Sequence, residues 1–390
     1  MTSPRFLQIH TLHSYTAALL NRDDTGQAKR LRYGDVSRTR ISSQCLKRHW
    51  RMADTDPNAI QKIEGFAASF RSRELVTQKV IAPLRGRFPD DVVNALEQWF
   101  QFIIYSGNKT NKPKRRGEKA KAEDKKNRPT LLFGEPELNW LQREFAGLAD
   151  KAKEDADRAF ELGGKWADHY KETIKIWREN NKLHAGITAA LFGRMVTSDP
   201  DANIEAPVHV AHAFTVHRAE TENDYFTAVD DLKRDEDDSS ADTIQETELT
   251  CGLFYGYVVI DLPGLIANCG ADRDLAARVV HNLVHLIAEV SPGAKHGSTA
   301  PYGRADLMLV EAGDRQPRSL ATAYRKAVKN DIDAARTALQ QALANHDEAY
   351  ATDEARAHLC LTGSLEAIEK KALTPLAEWA AAKVKDAPDA

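Results

Sequence analysis

Residues 40–51, RISSQCLKRHWR, gather five basic side chains, two hydroxyls and one amide in twelve positions. The spacing predicts a helix from Gln44 to about Met52, with Ser43 as its N-cap. On that helix Gln44, Lys47, Arg48 and Arg51 stand at i, i+3, i+4 and i+7 and share one face. Leu46 and Trp50, with Ala53, take the other side and anchor it. A helix start attracts anions through its unpaired N–H groups and its dipole. Arg40, Ser42, Ser43 and Gln44 converge on this one. The ligand such a face suits is a phosphate backbone; the plainer alternative is a solvated basic face.

Other constellations are weaker. Residues 109–129 hold ten basic and three acidic side chains without apolar periodicity. They read as an exposed lysine-rich loop, or as a source of non-specific attraction to nucleic acid. HNLVH places His281 and His285 one helical turn apart, but Asn282 stands where a zinc peptidase needs its glutamate. Both are expected to pack, as are His209 and His212 in a strand-like stretch. Arg194 and Met195 precede a Ser/Asp/Pro turn. Tyr225 and Phe226 stand before residues 230–248, where nine acidic side chains face two basic ones. Such an aromatic pair suits stacking on unpaired bases or core packing. SPGAKHG (291–297) presents Lys295 and His296 in a turn. No phosphate-binding glycine loop, hydrolase elbow or metal-ligand spacing is present, so the chain reads as a binder, with no cofactor expected.

The whole chain has 390 residues, 42% hydrophobic, and a formal net charge of −3. Residues 1–51 carry ten Lys/Arg against three Asp/Glu, leaving 44 against 54 in the rest. A basic segment on an acidic chain points to a localised anion site. Four cysteines without paired spacing suggest a reducing compartment. The N-terminus lacks an apolar signal core, and no apolar run reaches the roughly 20 residues a membrane span needs. A soluble, cytoplasmic protein is expected.

Residues 5–15 alternate and predict a strand, with Leu7 and Ile9 on one side and Gln8 and His10 on the other. Residues 19–35 read as a turn-rich loop. From 53 to about 185 the pattern is helical, broken at Gly163-Gly164. Strand character returns at 206–218, 251–262 and 305–313, with an amphipathic helix at 273–290. Thr374-Pro375 reads as the opening of a last helix. This order suggests an α+β domain interrupted by a helical insertion, and a ferredoxin-like core fits it.

LNRDD (20–24), RISSQCLKRHWR (40–51), GRM (193–195), AHA (211–213), FTAVDDL (226–232) and PGAK (292–295) occur in this order. In that combination the chain resembles the CasC (Cse4-type) family, the crRNA-binding backbone subunits of the type I-E CRISPR Cascade complex. The likeness is strong over 1–52, 184–232 and 249–312, weak over 53–183, and finds no counterpart for the loop 109–128.

The resemblance implies an RRM-like (ferredoxin-like) palm from 1–52 and 186–390. A helical fingers insertion would span 53–185, and a β-hairpin thumb 209–250. It implies that copies stack along the guide, displacing one base at intervals so that the rest pairs with target DNA, beside other Cascade subunits. Arg22, Lys29, Arg40, Ser42, Ser43, Gln44, Lys47, Arg48 and Arg51 would hold phosphates. Arg194, Lys295 and His296 would add RNA contacts, and Met195, Phe226 and Thr227 would flank the displaced base. Tyr225 stands where a family member has tryptophan. Two rivals stand beside it: an RNA-processing endonuclease using His10 or His13 as general base, and a metallopeptidase built on His281 and His285.

Overall fold

The structure is a computed structural model; it describes residues 3–65, 67–106, 112–113, 128–181, 183–196, 199–227 and 244–389. The expected basic loop 109–128 lies almost wholly outside the described residues. The chain forms two compact units, one of Met1–Ile63, Val208–Pro263 and Arg273–Ala390, the other of Glu64–Pro207 and Gly264–Asp272.

The chain runs through β1 (Phe6–Ala18), β2 (Arg30–Tyr33), β3 (Val36–Ile41) and α1 (Ser43–Arg51). The second unit then supplies β4 (Ser69–Ser72), α2 (Asp90–Gln101), β5 (Leu131–Gly134), α3 (Glu135–Ala152), α4 (Ala156–Glu179) and α5 (Ile187–Phe192). Next come β6 (Val208–Val210), β7 (Ala213–Thr215), β8 (Glu220–Thr227), β9 (Ile244–Asp261), α6 (Leu262–Asn268) and α7 (Arg273–Glu289). The chain closes with α8 (His296–Thr299), β10 (Ala305–Gly313), α9 (Ile332–Tyr350), β11 (Ala355–Cys360), β12 (Glu369–Lys370) and α10 (Leu373–Lys385).

In the first unit the strands follow the order β12-β11-β10-β1-β9-β7-β3-β2, with β6 and β8 also paired to β9. The sheet is mixed, because β11 and β12 run parallel while β1 is antiparallel to both neighbours. Within it β10-β1-β9-β7 are consecutive, α1 lies between β1 and β7 in sequence, and α7 between β9 and β10.

Alternation along β1 sends Leu7 and Ile9 to one face and Gln8 and His10 to the other, and all four are buried. Leu46 and Trp50 of α1 and Ile287 of α7 meet the first face around Thr11, Phe254 and Val258. On the second face Leu12, Tyr255, Leu307 and Leu309 pack under Leu320, Tyr324, Leu339 and Leu343. Gln8 and His10 are tolerated there because a polar network receives them. His10 meets Tyr255 Oη at 2.9 Å and Glu311 at 3.0 Å, and Glu311 is held by Arg318 at 2.7 Å and Arg356 at 2.7 Å.

Several expectations need revision. Residues 30–41, read partly as loop, form the β2–β3 hairpin, turned at Gly34 with φ of +66°. A Cβ at Gly34 would also meet the backbone of Arg325, so both the turn and the close approach require glycine. The last helix begins at Leu373 with Ala372 as its N-cap, not at Thr374. The described hairpin stem is β8 against the first part of β9, whereas β6 and β7 pair with the later part of β9.

In the second unit Phe100, Phe145, Tyr170 and Ile174 form the centre of an apolar core. Gly163 and Gly164 do not break a helix; α4 runs through both. A Cβ at Gly163 would lie 2.7 Å from the Trp99 ring, so glycine admits the indole against the helix. Residues 186–207, expected with the palm, fold with this unit, where Ala185 and Ala189 pack on Leu132. Residues 53–63, expected with the helices, fold with the first unit.

Candidate nucleic-acid interface

The basic helix forms, one residue earlier than expected. Ser42 is the N-cap, its Oγ accepting the Cys45 N–H at 3.2 Å, and Ser43 is the first helical residue. Trp50 and Leu46 are buried beneath the helix. Gln44 and Arg48 are exposed, and Lys47 and Arg51 are half-buried. Partial desolvation lowers the Lys47 pKa.

The loop before β2 docks on the helix start. Asn21 Oδ1 accepts the Ser42 N–H at 2.9 Å, and Asn21 O accepts the Lys29 N–H at 2.9 Å. Lys29 O in turn accepts the Arg40 N–H at 2.8 Å. Arg22 is exposed on this loop, and Asp23 closes its turn by accepting from Thr25 Oγ1 at 2.8 Å and from the Gln27 N–H at 3.0 Å. Glu248 of β9 pins the same loop through the Ala28 N–H at 2.8 Å and an ion pair with Arg30. Backbone hydrogen bonds therefore bring Arg22, Lys29 and Arg40 to the end of α1.

The PGAK segment reaches the other part of this surface. His49 donates Nδ1–H to Cys45 O at 2.8 Å and accepts the Gly293 N–H at Nε2, 3.4 Å away. The Ala294 N–H is bonded to Leu19 O at 2.8 Å. Lys295 is exposed, in the left-handed region at φ of +54°, and its ammonium donates to Thr247 Oγ1. His296 is exposed beside Tyr302, ring centroids 5.9 Å apart.

His212 belongs to the same surface, although its strand-like setting suggested packing. From Val210↔Val258 to Phe214↔Tyr255 one strand takes one residue more than β9 does, a bulge at Ala211–His212. The bulge directs His212 to the start of α1. Its Nδ1 lies 3.3 Å from the Ser43 N–H and 3.2 Å from Arg40 Nη1. Partial desolvation, then the charges of Arg40 and Lys29, lower its pKa.

Other expected contacts fall elsewhere. Arg194 is a correction: it is 5% exposed, bonded through Nε to Ala202 O at 2.8 Å and paired through Nη1 with Glu137. Arg178 joins Glu137 at 2.8 Å and Asp199 at 2.6 Å in the same buried cluster. One carboxylate, Glu137, and one backbone carbonyl thus hold the Arg194 guanidinium inside the second unit. Met195, next to it, is 78% exposed in the second unit. Phe226 and Thr227 end β8, opposite Gln245 and Ile244, and their side chains lie outside the described residues. Tyr225 is exposed.

The rival bases are differently placed. His10 is fully buried, and desolvation lowers its pKa. It cannot reach an RNA phosphate. His13 is half-buried and lowered by the same cause. The His281 and His285 rings pack at a tilt with centroids 4.9 Å apart, and Glu289 lies 3.5 Å from His285 Nδ1. Among the described residues no group of three His, Cys, Asp or Glu is arranged to hold a metal ion, and no helix is long and apolar enough to cross a membrane.

The family described as CT1975-like protein matches residues 7–383. No curated protein matches the chain. Among solved structures, a chain of a "CRISPR RNA-guided surveillance complex, pre-nicking" aligns with a TM-score of 0.78 at 25% identity, covering 97% of this chain and 100% of that one. A chain of a "CRISPR RNA-guided surveillance complex" aligns at 0.57 and 20% identity, covering 97% and 98%, a likeness of fold.

Proposed function

The chain belongs to the family of CT1975-like proteins, and from that membership and its basic helix we propose that it is the crRNA-binding backbone subunit of type I-E Cascade. The observation that carries this reading is the cationic face of α1, rigidly based on Leu46 and Trp50 and joined at its start by Arg40, Lys29 and Arg22. A fixed row of phosphate-directed donors holds a guide without reading bases, so any spacer is accepted and specificity rests with pairing to target DNA.

The consecutive strands β10-β1-β9-β7, with helices α1 and α7 between their sequence pairs, support an RRM-like palm. In a simple RRM the open sheet face stacks bases. Here both faces are covered, one by α1 and α7 and the other by 320–343. The guide would therefore run along α1 and its loops. The β8–β9 stem would be the thumb, and exposed Met195 would contact the displaced base. Copies would polymerise along the guide beside other Cascade subunits, with no catalytic step, in the cytoplasm. Co-purification tests this reading: a discrete short RNA and partner subunits should accompany the protein, and their absence would count against it. Cleavage of repeat RNA by the purified protein, lost in His13→Ala, would favour the endonuclease instead.

A further inference from the structure

We propose that His212 is the positioning residue of the phosphate site, its Nδ1 lone pair holding the Arg40 guanidinium and the start of α1 ready for a guide phosphate. The inference rests on the guide-binding reading above and adds a residue to it. Two donors, the Ser43 N–H at 3.3 Å and Arg40 Nη1 at 3.2 Å, converge on that one nitrogen. Neither can accept a hydrogen bond, so Nδ1 is unprotonated and Nε2 carries the ring proton.

Neutrality is the useful property here. A carboxylate in this position would pair with Arg40 and cancel its charge, as Glu137 does for Arg194. Among the described residues no acid is paired with Arg40. An imidazole orients the guanidinium and leaves its full charge for an incoming phosphate. It also narrows the rotamers of a long side chain, so less entropy is lost when RNA binds. The bulge before β7 is the backbone device that delivers the ring, and a regular strand would not place it there.

The test is a double-mutant cycle on binding of a single-stranded guide RNA, with thermal melting to confirm that each variant folds. His212→Ala should weaken binding about five-fold, the scale of one hydrogen bond. In an Arg40→Ala background the same change should cost clearly less, under about two-fold, because only the Ser43 N–H contact remains to be lost. His212→Asn should bind within about two-fold of the unaltered protein, because Oδ1 takes the place of the Nδ1 acceptor. An equal loss from His212→Ala with and without Arg40 would overturn the inference alone. So would a His212→Asn variant as weak as His212→Ala, which would assign the effect to the rest of the ring. Failure of the unaltered protein to bind guide RNA would overturn the phosphate-face reading, and this inference with it.

Discussion

Arginines do opposite work in the two units. In the second, Arg178 and Arg194 are buried around Glu137, with Asp199 completing the cluster. Their charges are consumed internally, and they hold α3, α4 and the segment after α5 together. In the first, Arg48 is exposed on a helix whose apolar side is buried, and Arg40 is held by a neutral imidazole. The residue type is the same, but the available acceptors differ. A buried guanidinium needs carboxylates because an unpaired buried charge is very costly. A surface guanidinium meant for a ligand needs orientation without neutralisation.

The largest expected effect tests the buried side of this contrast. Arg194→Ala leaves Glu137 with one partner fewer in a closed site, and should cost about 3 kcal/mol of stability in urea unfolding. Guide affinity of the folded variant should be unchanged. A variant of normal stability that lost RNA binding would return Arg194 to the interface and break the comparison. The exposed side is tested by replacing Lys47, Arg48 and Arg51 together with alanine. Affinity should fall about 100-fold at low salt, about equally for all spacers, and the salt slope should flatten by about two. Stability should stay within about 1 kcal/mol. Loss confined to particular spacers would mean that these side chains read bases.

How far this contrast could be read from sequence depends on where each residue's partners lie. The α7 helix and β10 were legible because their apolar periodicity is local and strong. The cationic face of α1 was legible for the same reason, since i, i+3, i+4 and i+7 are neighbours on any helix. Arg194 was not, because Glu137, which claims it, lies 57 residues earlier. His212 was not, because one bulge in β-pairing decides where it points, and Ser43 lies 169 residues before it. The β2 strand was hidden by its arginines, which suit an exposed sheet edge as well as a loop. Gly163 and Gly164 misled because a helix tolerates glycine where an indole needs the space.

Buried charge is not confined to the second unit, and a pH measurement separates the two clusters. In the network around Glu311, burial and then the Glu311 charge push the Glu354 pKa up to about 7. A carboxyl raised in the folded state binds its proton more tightly there than in the unfolded chain. Its contribution to stability is complete below about pH 4.5, is lost as pH rises toward 7, and is flat above. Glu311 is lowered well below the usual carboxylate range despite burial, by His10 and Arg318 bonding, and so acts with the opposite sign. Glu354→Gln isolates the first effect by imitating the protonated carboxyl. It should be more stable than the unaltered protein by about 1 kcal/mol at pH 8, with the gap closing near pH 4.5. A Glu354→Gln variant less stable than the unaltered protein at pH 8 would mean instead that Arg318 at 3.3 Å and Arg356 at 3.7 Å hold Glu354 as a paired charge, as in the Arg178 cluster.

The smallest effect decides where the cationic face begins. Ser42 Oγ accepts the Cys45 N–H, whereas the Ser43 hydroxyl donates only to Gln44 Oε1 at 3.4 Å. Ser42→Ala should therefore cost about 1 kcal/mol, and Ser43→Ala less than about half of that, in the same unfolding measurement. Because the cap orders the first turn, Ser42→Ala should also weaken guide binding slightly, through a less fixed Arg40 and Ser43 N–H. If Ser43→Ala were the destabilising change, the cap would sit one residue later and α1 would start there. The residues bonded to Asn21 and His212 would then no longer be those at the helix start. The proposed difference between an oriented and a neutralised arginine would lose its geometric basis at Arg40, while the buried cluster around Arg194 would be untouched.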